Sequence, residues 1–352
     1  MSDIQIDLEA QITFLVDLLN IPSPTGYHAE AADFVAAAFA ALGVPELAIT
    51  RTLKGAVLIK WPGTGEAAPV GLTAHLDTLG FMVKEVKRNG RLALTNLGGI
   101  LWNGVEGEGV TVRTADDRRI RGTILPENTS VHVNRKIKTV ERGEQTMEVR
   151  LDARTESRLE TEALGIGVGD FVFVDPRVEV GEAGFIRSRF LDDKAGVANI
   201  YGAVQAIAAA GLKPPRDVYL LIANYEEVGH GGSAGFPPEL VEVLSVDMGA
   251  LGEGQAGDEF SASICAKDSG GPYHFDMINK LRRLADANQI RYRVDIYPYY
   301  SSDGTAYWRA GGEARVGLAG PGVDASHAYE RTHREALLNS TKLLAHYMLD
   351  KD

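Results

Sequence analysis

The sequence predicts an α/β fold: a doubly wound, mostly parallel sheet with helices on both faces, carrying an inserted small β-barrel or sandwich. Before about residue 80 and after about residue 184, apolar strands alternate with helical patterns, as in parallel sheets covered on both faces. Between these positions, short runs of alternating apolar and polar residues are separated by Gly, Asn and Asp. We therefore expect an α/β domain formed by residues 1–79 and 184–352, and an inserted β domain formed by residues 80–183.

The first part of the α/β domain contains two helical patterns followed by two strands. The helical patterns lie between Ile4 and Leu42, are separated by the turn IPSPTG, and end at Gly43. The predicted strands, at residues 56–61 and 70–74, are mostly apolar, which is typical of strands covered on both faces.

The inserted part contains strand patterns and one short helical pattern, at residues 156–164, which Gly165 ends. The alternating runs that predict its strands are FMVKEV, RLALTN, VTVRT, RIRGTIL, MEVRLDA and FVFVD.

After residue 184 helices and strands alternate again, which predicts a return to the parallel sheet. Helices are predicted at residues 193–210, 272–289 and 334–349, and strands at residues 218–223, 243–246, 261–265, 291–297 and 315–319.

The composition is that of an ordinary globular protein, with 45% hydrophobic and 24% charged residues in 352 positions. The net charge of −12 argues against nucleic acid or an anionic membrane as a partner. Cys265 is the single cysteine, so neither an intrachain disulfide nor a thiolate zinc site is expected. No signal sequence and no apolar run of membrane-spanning length is found, and we expect a cytoplasmic protein.

Five acidic or histidine-containing clusters lie where predicted strands end or a helix begins, and these positions gather at one edge of an open α/β sheet. Imidazole and carboxylate groups suit Zn²⁺, Co²⁺ or Mn²⁺, and carboxylates can bridge two such ions. The clusters are His75 with Asp77, Asp192 with Asp193, Glu226 with Glu227, Asp247, and His327.

Each cluster alone also has a structural explanation. Asp192 could cap a helix, Glu226 and Glu227 could lie in a solvated loop, and an Asp at a strand end such as Asp247 is common. The five together favour a metal site, in which Asp77 accepts the second ring N–H of His75. His132, His274 and His333 are also available, and His333 competes most directly with His327.

Several segments resemble the family of dinuclear metal-dependent aminopeptidases that includes the tetrahedral-shell, glutamyl and deblocking aminopeptidases and proteins labelled endoglucanase M. The resemblance extends from about Leu8 to Leu349. Its most specific segments are AHLDTLGFMV, LGIGVGDFVFVD, RFLDDKAGVAN, YEEVGHGGSAG and SVDMGA.

The resemblance implies a role for each candidate residue. It implies that His75 and Asp247 complete one metal site and that Glu227 and His327 complete the other. Asp192 would bridge two divalent ions, zinc before cobalt or manganese. It further implies that Glu226 is the catalytic base and that Asp77 supports His75. The implied activity is removal of N-terminal residues from short peptides. The implied assembly is a homo-oligomer, from dimer to dodecamer, in which the inserted domain takes part.

The sequence departs from the family pattern in two places. The segment SSDGTAYW stands where many relatives have Thr-Asp-Ala, and His327 lies within VDASHAYERTH rather than before Ser. These departures keep a related dinuclear amidase or deacylase, acting on a small modified dipeptide of the osmoprotectant type, as the main alternative. A carbohydrate hydrolase and a non-enzymatic metal-binding protein are more distant alternatives.

Overall fold

The computed structural model describes residues 4–352, which form two compact units. The first unit contains the described residues up to Asp77 together with Val178–Asp352, and the second contains Thr78–Arg177. The second unit is therefore an insertion between two segments of the first.

Helices cover the ends and the middle of the chain, and none within residues 4–352 is long and apolar enough to cross a membrane. They are α1 (Leu8–Leu19), α2 (Ala29–Ala41), α3 (Arg158–Ala163), α4 (Leu191–Ala209), α5 (Phe275–Ala287), α6 (Asp303–Arg309) and α7 (Arg334–Leu349). Short 3₁₀ helices lie at Trp102–Val105, Arg135–Lys138, Glu226–Val228 and Gly231–Ser233.

The strands of the described residues form a large sheet, a three-stranded sheet and a barrel. They are β1 (Ala48–Arg51), β2 (Val57–Trp61), β3 (Val70–His75), β4 (Gly80–Val86), β5 (Leu92–Leu97), β6 (Gly109–Arg113), β7 (Arg119–Pro126), β8 (Met147–Leu151), β9 (Phe171–Val174), β10 (Glu179–Val180), β11 (Phe185–Ser188), β12 (Val218–Ala223), β13 (Glu242–Val246), β14 (Gly249–Ala250), β15 (Ala262–Asp268), β16 (Gly271–Pro272), β17 (Tyr292–Ile296), β18 (Arg315–Val323) and β19 (Glu330–His333).

The large sheet has a parallel centre, which confirms the predicted fold class. Its strand order is β1-β2-β12-β3-β13-β18-β15-β16, and β12, β3, β13 and β18 are mutually parallel neighbours. On either side, β2 pairs antiparallel with β12 and β15 pairs antiparallel with β18.

The core of the first unit is built on the two central strands β3 and β12, in which every residue is buried. Helix α4 lies against β3 and contacts both α1 and α7. Most of its residues from Leu191 to Ile207 are buried, and beside small and aliphatic residues they include polar ones, namely Asp192, Asp193, Lys194 and Asn199. The site described below thus lies at the ends of buried, well-packed elements.

The second unit is a closed antiparallel barrel with strand order β4-β5-β8-β7-β6-β9. Its alternating pattern points Phe81, Val83, Leu92, Val110 and Val149 into a buried interior. The sequence predicted either a barrel or a sandwich here, and the structure shows a barrel.

Some elements differ from the sequence prediction. Helix α5 begins only at Phe275, because Gly271–Pro272 forms β16 and His274 caps the helix. The segment SSDGTAYW contains α6, whose start is fixed by a capping box between Ser302 and Thr305. The pattern also gave no sign of the small sheet formed by β10, β11 and β19, since these strands are only two to four residues long.

Candidate metal centre

Three neighbouring parallel strands end at the same edge of the large sheet. The last residue of β3, His75, is paired in register with Ala223, the last residue of β12. The third strand, β13, ends at Val246, directly before Asp247. Because these strands are adjacent and parallel, the residues that follow them meet at one edge.

The imidazole of His75 is buried, and its two nitrogens have different roles. Nδ1 lies 2.9 Å from the main-chain oxygen of Asp77, which can only accept, so Nδ1 carries a proton. Nε2 lies 3.1 Å from Oδ1 of Asp192 and 3.7 Å from Oε2 of Glu226. With Nδ1 donating to the main chain, Nε2 is the nitrogen available to a metal ion.

The carboxylates around His75 favour a positive charge on or beside its ring. Burial alone lowers the pKa of the imidazole, but the hydrogen bond to Asp192 and the charges of Glu226 and Asp247 raise it well above its ordinary value. The same carboxylates face Nε2, so they favour a positive charge at this nitrogen, which a metal ion would supply.

The position of Asp77 corrects one detail of the sequence prediction. Its carboxylate was expected to accept the ring N–H of His75, but the nearest carboxylate oxygen lies 3.8 Å from Nδ1, and the main-chain carbonyl accepts instead. The carboxylate instead binds the turn after β12: Oδ1 accepts the main-chain N–H of Glu226 at 3.1 Å, and Oδ2 accepts the main-chain N–H of Glu227 at 3.3 Å. Thr25 also donates its hydroxyl to Oδ2, at 2.6 Å.

One compact trio of candidate ligands is formed by His75, Asp192 and Asp247. One ligand atom from each lies within 4.8 Å of the other two, and all three side chains are buried. Burial, followed by the negative charge of Asp192, raises the pKa of Asp247 to about 7. Two carboxylates this close in a buried place favour a proton or a cation between them.

A second group of candidate ligands is centred on His327. Its Nε2 lies 3.6 Å from Oδ2 of Asp192 and 3.7 Å from Oε2 of Glu227. The other oxygen of Glu227, Oε1, is buried and has no hydrogen-bond partner. An unpaired buried carboxylate oxygen is costly, and a metal ion at this place would satisfy it.

Asp192 is shared by the two groups. Its Oδ1 faces His75 and its Oδ2 faces His327, so the carboxylate lies between two imidazoles that come from different ends of the chain. Ser326 donates its hydroxyl to Oδ2 at 3.2 Å, which fixes the orientation of the carboxylate.

Glu226 lies beside the first trio without being part of it. It opens a 3₁₀ turn, and Tyr225 before it adopts a left-handed φ of 73°. Burial is the largest influence on its pKa, which is raised well above the ordinary value, with Asp247 and Asp303 contributing in the same direction. Gly231 is required behind it, since a Cβ there would lie 2.2 Å from Oδ1 of Asp303.

The other three histidines considered from the sequence lie away from these carboxylates. His333 is the N-cap of α7, where Nδ1 accepts the N–H of Glu335, and its ring packs between Phe185 and Phe260. His274 caps α5, and His132 is exposed in the second unit. Of the histidines considered from sequence, His75 and His327 are the ones that lie among the clustered carboxylates.

Two buried acids near this edge were not indicated by the sequence. Asp303 accepts from Gly232 N–H at 2.5 Å and from the hydroxyl of Thr73 at 3.0 Å. Glu330 accepts the main-chain N–H groups of Asp192 and His327. Neither follows a central strand, so the strand-end argument could not have found them.

Comparison with known proteins identifies the family. Residues 55–343 match the model of the M42 glutamyl aminopeptidase family. The chain is 46% identical over 332 residues to the protein YhfE of Bacillus subtilis, which covers 94% of this chain and 95% of the relative. It is 27% identical over 256 residues to the glutamyl aminopeptidase of Lactococcus lactis, with 67% and 69% of the two chains covered.

Solved structures share the fold. An aminopeptidase of the archaeon Desulfurococcus kamchatkensis superposes with a TM-score of 0.86 at 21% identity, over 97% of this chain and 95% of the other. The TET1 peptidase of Pyrococcus horikoshii, which can assemble into a tetrahedron or a large octahedral shell, gives a TM-score of 0.84 at 19% identity, over 97% and 99%. The family match and the 46% identical relative lead to one conclusion: the chain belongs to the M42 glutamyl aminopeptidase family and is a metal-dependent peptidase of the aminopeptidase class.

Proposed function

We propose that this protein removes N-terminal residues from short peptides with the help of two divalent metal ions. The observation that carries the proposal is the position of Asp192, whose Oδ1 lies 3.1 Å from His75 and whose Oδ2 lies 3.6 Å from His327. A carboxylate with an imidazole on each side is suited to bridge two ions.

The donor set fits such ions. It consists of imidazole nitrogens and carboxylate oxygens, which suit Zn²⁺ first and Co²⁺ or Mn²⁺ as alternatives. The buried Oε1 of Glu227 has no hydrogen-bond partner, and the pKa of Asp247 is raised. Both features are expected of carboxylates whose role is to bind cations. His75 and Asp247 would hold one ion, and Glu227 and His327 the other, with Asp192 shared.

The chemistry divides between the ions and the chain. Two bound divalent ions would make water more acidic and polarise the peptide carbonyl. Glu226 takes the proton of the attacking water and returns it to the leaving amine, for which its raised pKa is suited. Asp77 keeps Glu226 and Glu227 in place through their main-chain N–H groups.

The proposal includes an assembly. We propose a homo-oligomer, between a dimer and a dodecamer, by analogy with the shell-forming peptidase of Pyrococcus horikoshii. The inserted β domain, predicted at residues 80–183, would contribute to its contacts and to substrate access.

A hydrolysis panel tests the proposal. Free, N-acetylated and C-amidated dipeptides are incubated with the protein after chelation and after addition of Zn²⁺, Co²⁺ or Mn²⁺. We expect cleavage of the free and amidated dipeptides only, abolished by the chelator and restored by a cation. Cleavage of acetylated dipeptides alone would favour the amidase alternative, and full activity in chelator would refute the metal mechanism.

A further inference from the structure

Glu330 connects two of the candidate ligands through their main chains. Its Oε2 accepts the N–H of Asp192 at 3.0 Å, and its Oε1 accepts the N–H of His327 at 3.1 Å. The side chain is 2% exposed. Each oxygen thus faces a different segment of the chain, one at the start of α4 and one in the loop between β18 and β19.

The carboxylate of Glu330 is mounted on a strand. Glu330 opens β19, where it pairs in register with Ser188 of β11. Strand β11 ends just before α4 begins, and β19 begins just after the loop that carries His327. The small sheet therefore brings both segments to the same place, and the carboxylate joins them there.

Both segments adopt backbone conformations that need support. His327 has a φ of 66°, and Phe190 before α4 has a φ of 72°, which are left-handed values that side-chain-bearing residues seldom adopt. Such conformations persist where surrounding contacts hold them. The hydrogen bonds to Glu330 supply such contacts at Asp192 and His327.

We infer that Glu330 is the positioning residue of the metal centre, holding the shared ligand Asp192 and the terminal ligand His327 at a fixed separation. This inference rests on the proposed function, because it assigns both residues to the metal site. We assign Glu330 a positioning role and not a ligand role, because it is not part of the trio His75, Asp192 and Asp247 and both of its oxygens accept main-chain N–H groups of candidate ligands. Its effect on the metal is indirect, through the geometry of the two ligands that it joins.

The test compares Glu330→Gln with the matched variant Glu242→Gln. Glu242 is also a buried glutamate of the same unit, 1% exposed, but it pairs with Lys280 and Arg315 away from the centre. In Glu330→Gln the amide oxygen can serve one N–H group, while the amide nitrogen faces the other. We expect zinc or cobalt binding, measured by calorimetry on the full chain, to weaken about 10- to 100-fold.

Two further readouts separate positioning from simple destabilisation. With saturating metal, kcat of Glu330→Gln should fall while KM for a dipeptide stays close to the wild-type value. Glu242→Gln should lower the thermal unfolding midpoint but leave the metal dissociation constant unchanged. If both variants lost thermal stability alike and bound metal like wild type, Glu330 would have only a structural role and the inference would be overturned.

Glu330→Asp covers the case in which the glutamine variant does not fold. The shorter side chain keeps the charge but reaches only one of the two N–H groups, so metal binding should again weaken. Wild-type metal affinity in a folded aspartate variant would overturn the inference while leaving the proposed function intact. A wild-type protein that binds no metal would instead refute the proposed function, and this inference with it.

Discussion

The main-chain N–H of Glu226 donates to Oδ1 of Asp77 over 3.1 Å, so the proposed base is oriented by the residue that also orients His75. Asp77 forms hydrogen bonds with two segments. Its main-chain carbonyl accepts the Nδ1–H of His75, and its carboxylate accepts the main-chain N–H groups of Glu226 and Glu227. The end of β3 is therefore the reference point from which both a ligand and the base are placed.

Replacing Asp77 with Asn should loosen the turn that follows β12. The asparagine nitrogen would face an N–H group where a carboxylate oxygen accepts one now, leaving a buried donor unpaired at a cost of about 1–3 kcal/mol. We expect urea unfolding to show this loss, and kcat to fall by about tenfold or more as Glu226 loses its orientation. Thr25→Val, which removes only the hydroxyl bond to Asp77, is the control and should affect kcat less.

Replacing Glu226 with Gln should separate metal binding from turnover. Because Glu226 is proposed as the base and not as a ligand, the variant should bind metal with wild-type affinity while kcat falls by about 10²- to 10⁴-fold. Glu227→Gln provides the contrast, since it should lose metal affinity as well. Metal analysis and dipeptide kinetics on both variants measure the difference, and near-normal turnover in Glu226→Gln would remove it from the role of base.

Two histidine variants should have opposite effects. His327→Ala should weaken metal binding by more than about 100-fold, since it removes a proposed ligand outright. His333→Ala should leave metal binding unchanged but lower stability by about 1–3 kcal/mol, because it removes the cap of α7 and the packing against Phe185 and Phe260. Calorimetry measures metal binding, and urea unfolding measures stability. If His333→Ala lost metal affinity and His327→Ala did not, His333 would be the ligand instead of His327.

Asp303 should make the metal-free protein less stable as the pH rises. Burial, followed by the charge of Asp77, raises its pKa from 3.8 to about 6, so the folded state binds this proton more tightly than the unfolded state does. The associated stability is present below the unfolded pKa and is lost as the pH rises through about 6. At about 1.4 kcal/mol per pKa unit, a shift of about two units corresponds to about 3 kcal/mol.

Asp303→Asn removes this titration while it can keep the contacts with Gly232 and Thr73. In chelator, the stability of the variant relative to wild type should increase by about 2–3 kcal/mol between about pH 4 and pH 7. Urea unfolding across this range measures it. A difference between the two proteins that does not change with pH would show that Asp303 does not titrate there.

Most of the candidate site residues could be predicted from the sequence, because they follow apolar strands whose pattern is visible in the sequence itself. His75, Glu226 and Asp247 each lie at or just after the end of an apolar strand. Their residue types are read directly from the sequence, and their positions at strand ends place them at one edge of a parallel sheet. The alternation of helices and strands likewise predicted the fold class, which the structure confirms. The metal-binding and catalytic roles of these residues stay predictions.

What the sequence could not predict depends on contacts between distant segments. The carboxylate of Glu330 meets Asp192 only because β11 and β19 pair, and two such short strands leave little periodicity to detect. Helix α6 was missed for a related reason, since SSDGTAYW begins with residues typical of a loop and its capping box becomes evident only in three dimensions. The carboxylate of Asp77 was predicted to accept the N–H of His75, but its main-chain carbonyl accepts it instead. Which of the two groups accepts depends on the local turn, and this the sequence does not show.

The closed strand order of the inserted unit has a consequence for how this protein can associate. An open sheet ends in two strands with unpaired N–H and C=O groups, and these are templates for recruiting a strand from another molecule. In the ring β4-β5-β8-β7-β6-β9 every strand already has a partner on each side. A molecule that docks on this unit is therefore expected to be recognised mainly by side chains and connecting turns, because the ring has no edge strand for another chain to extend.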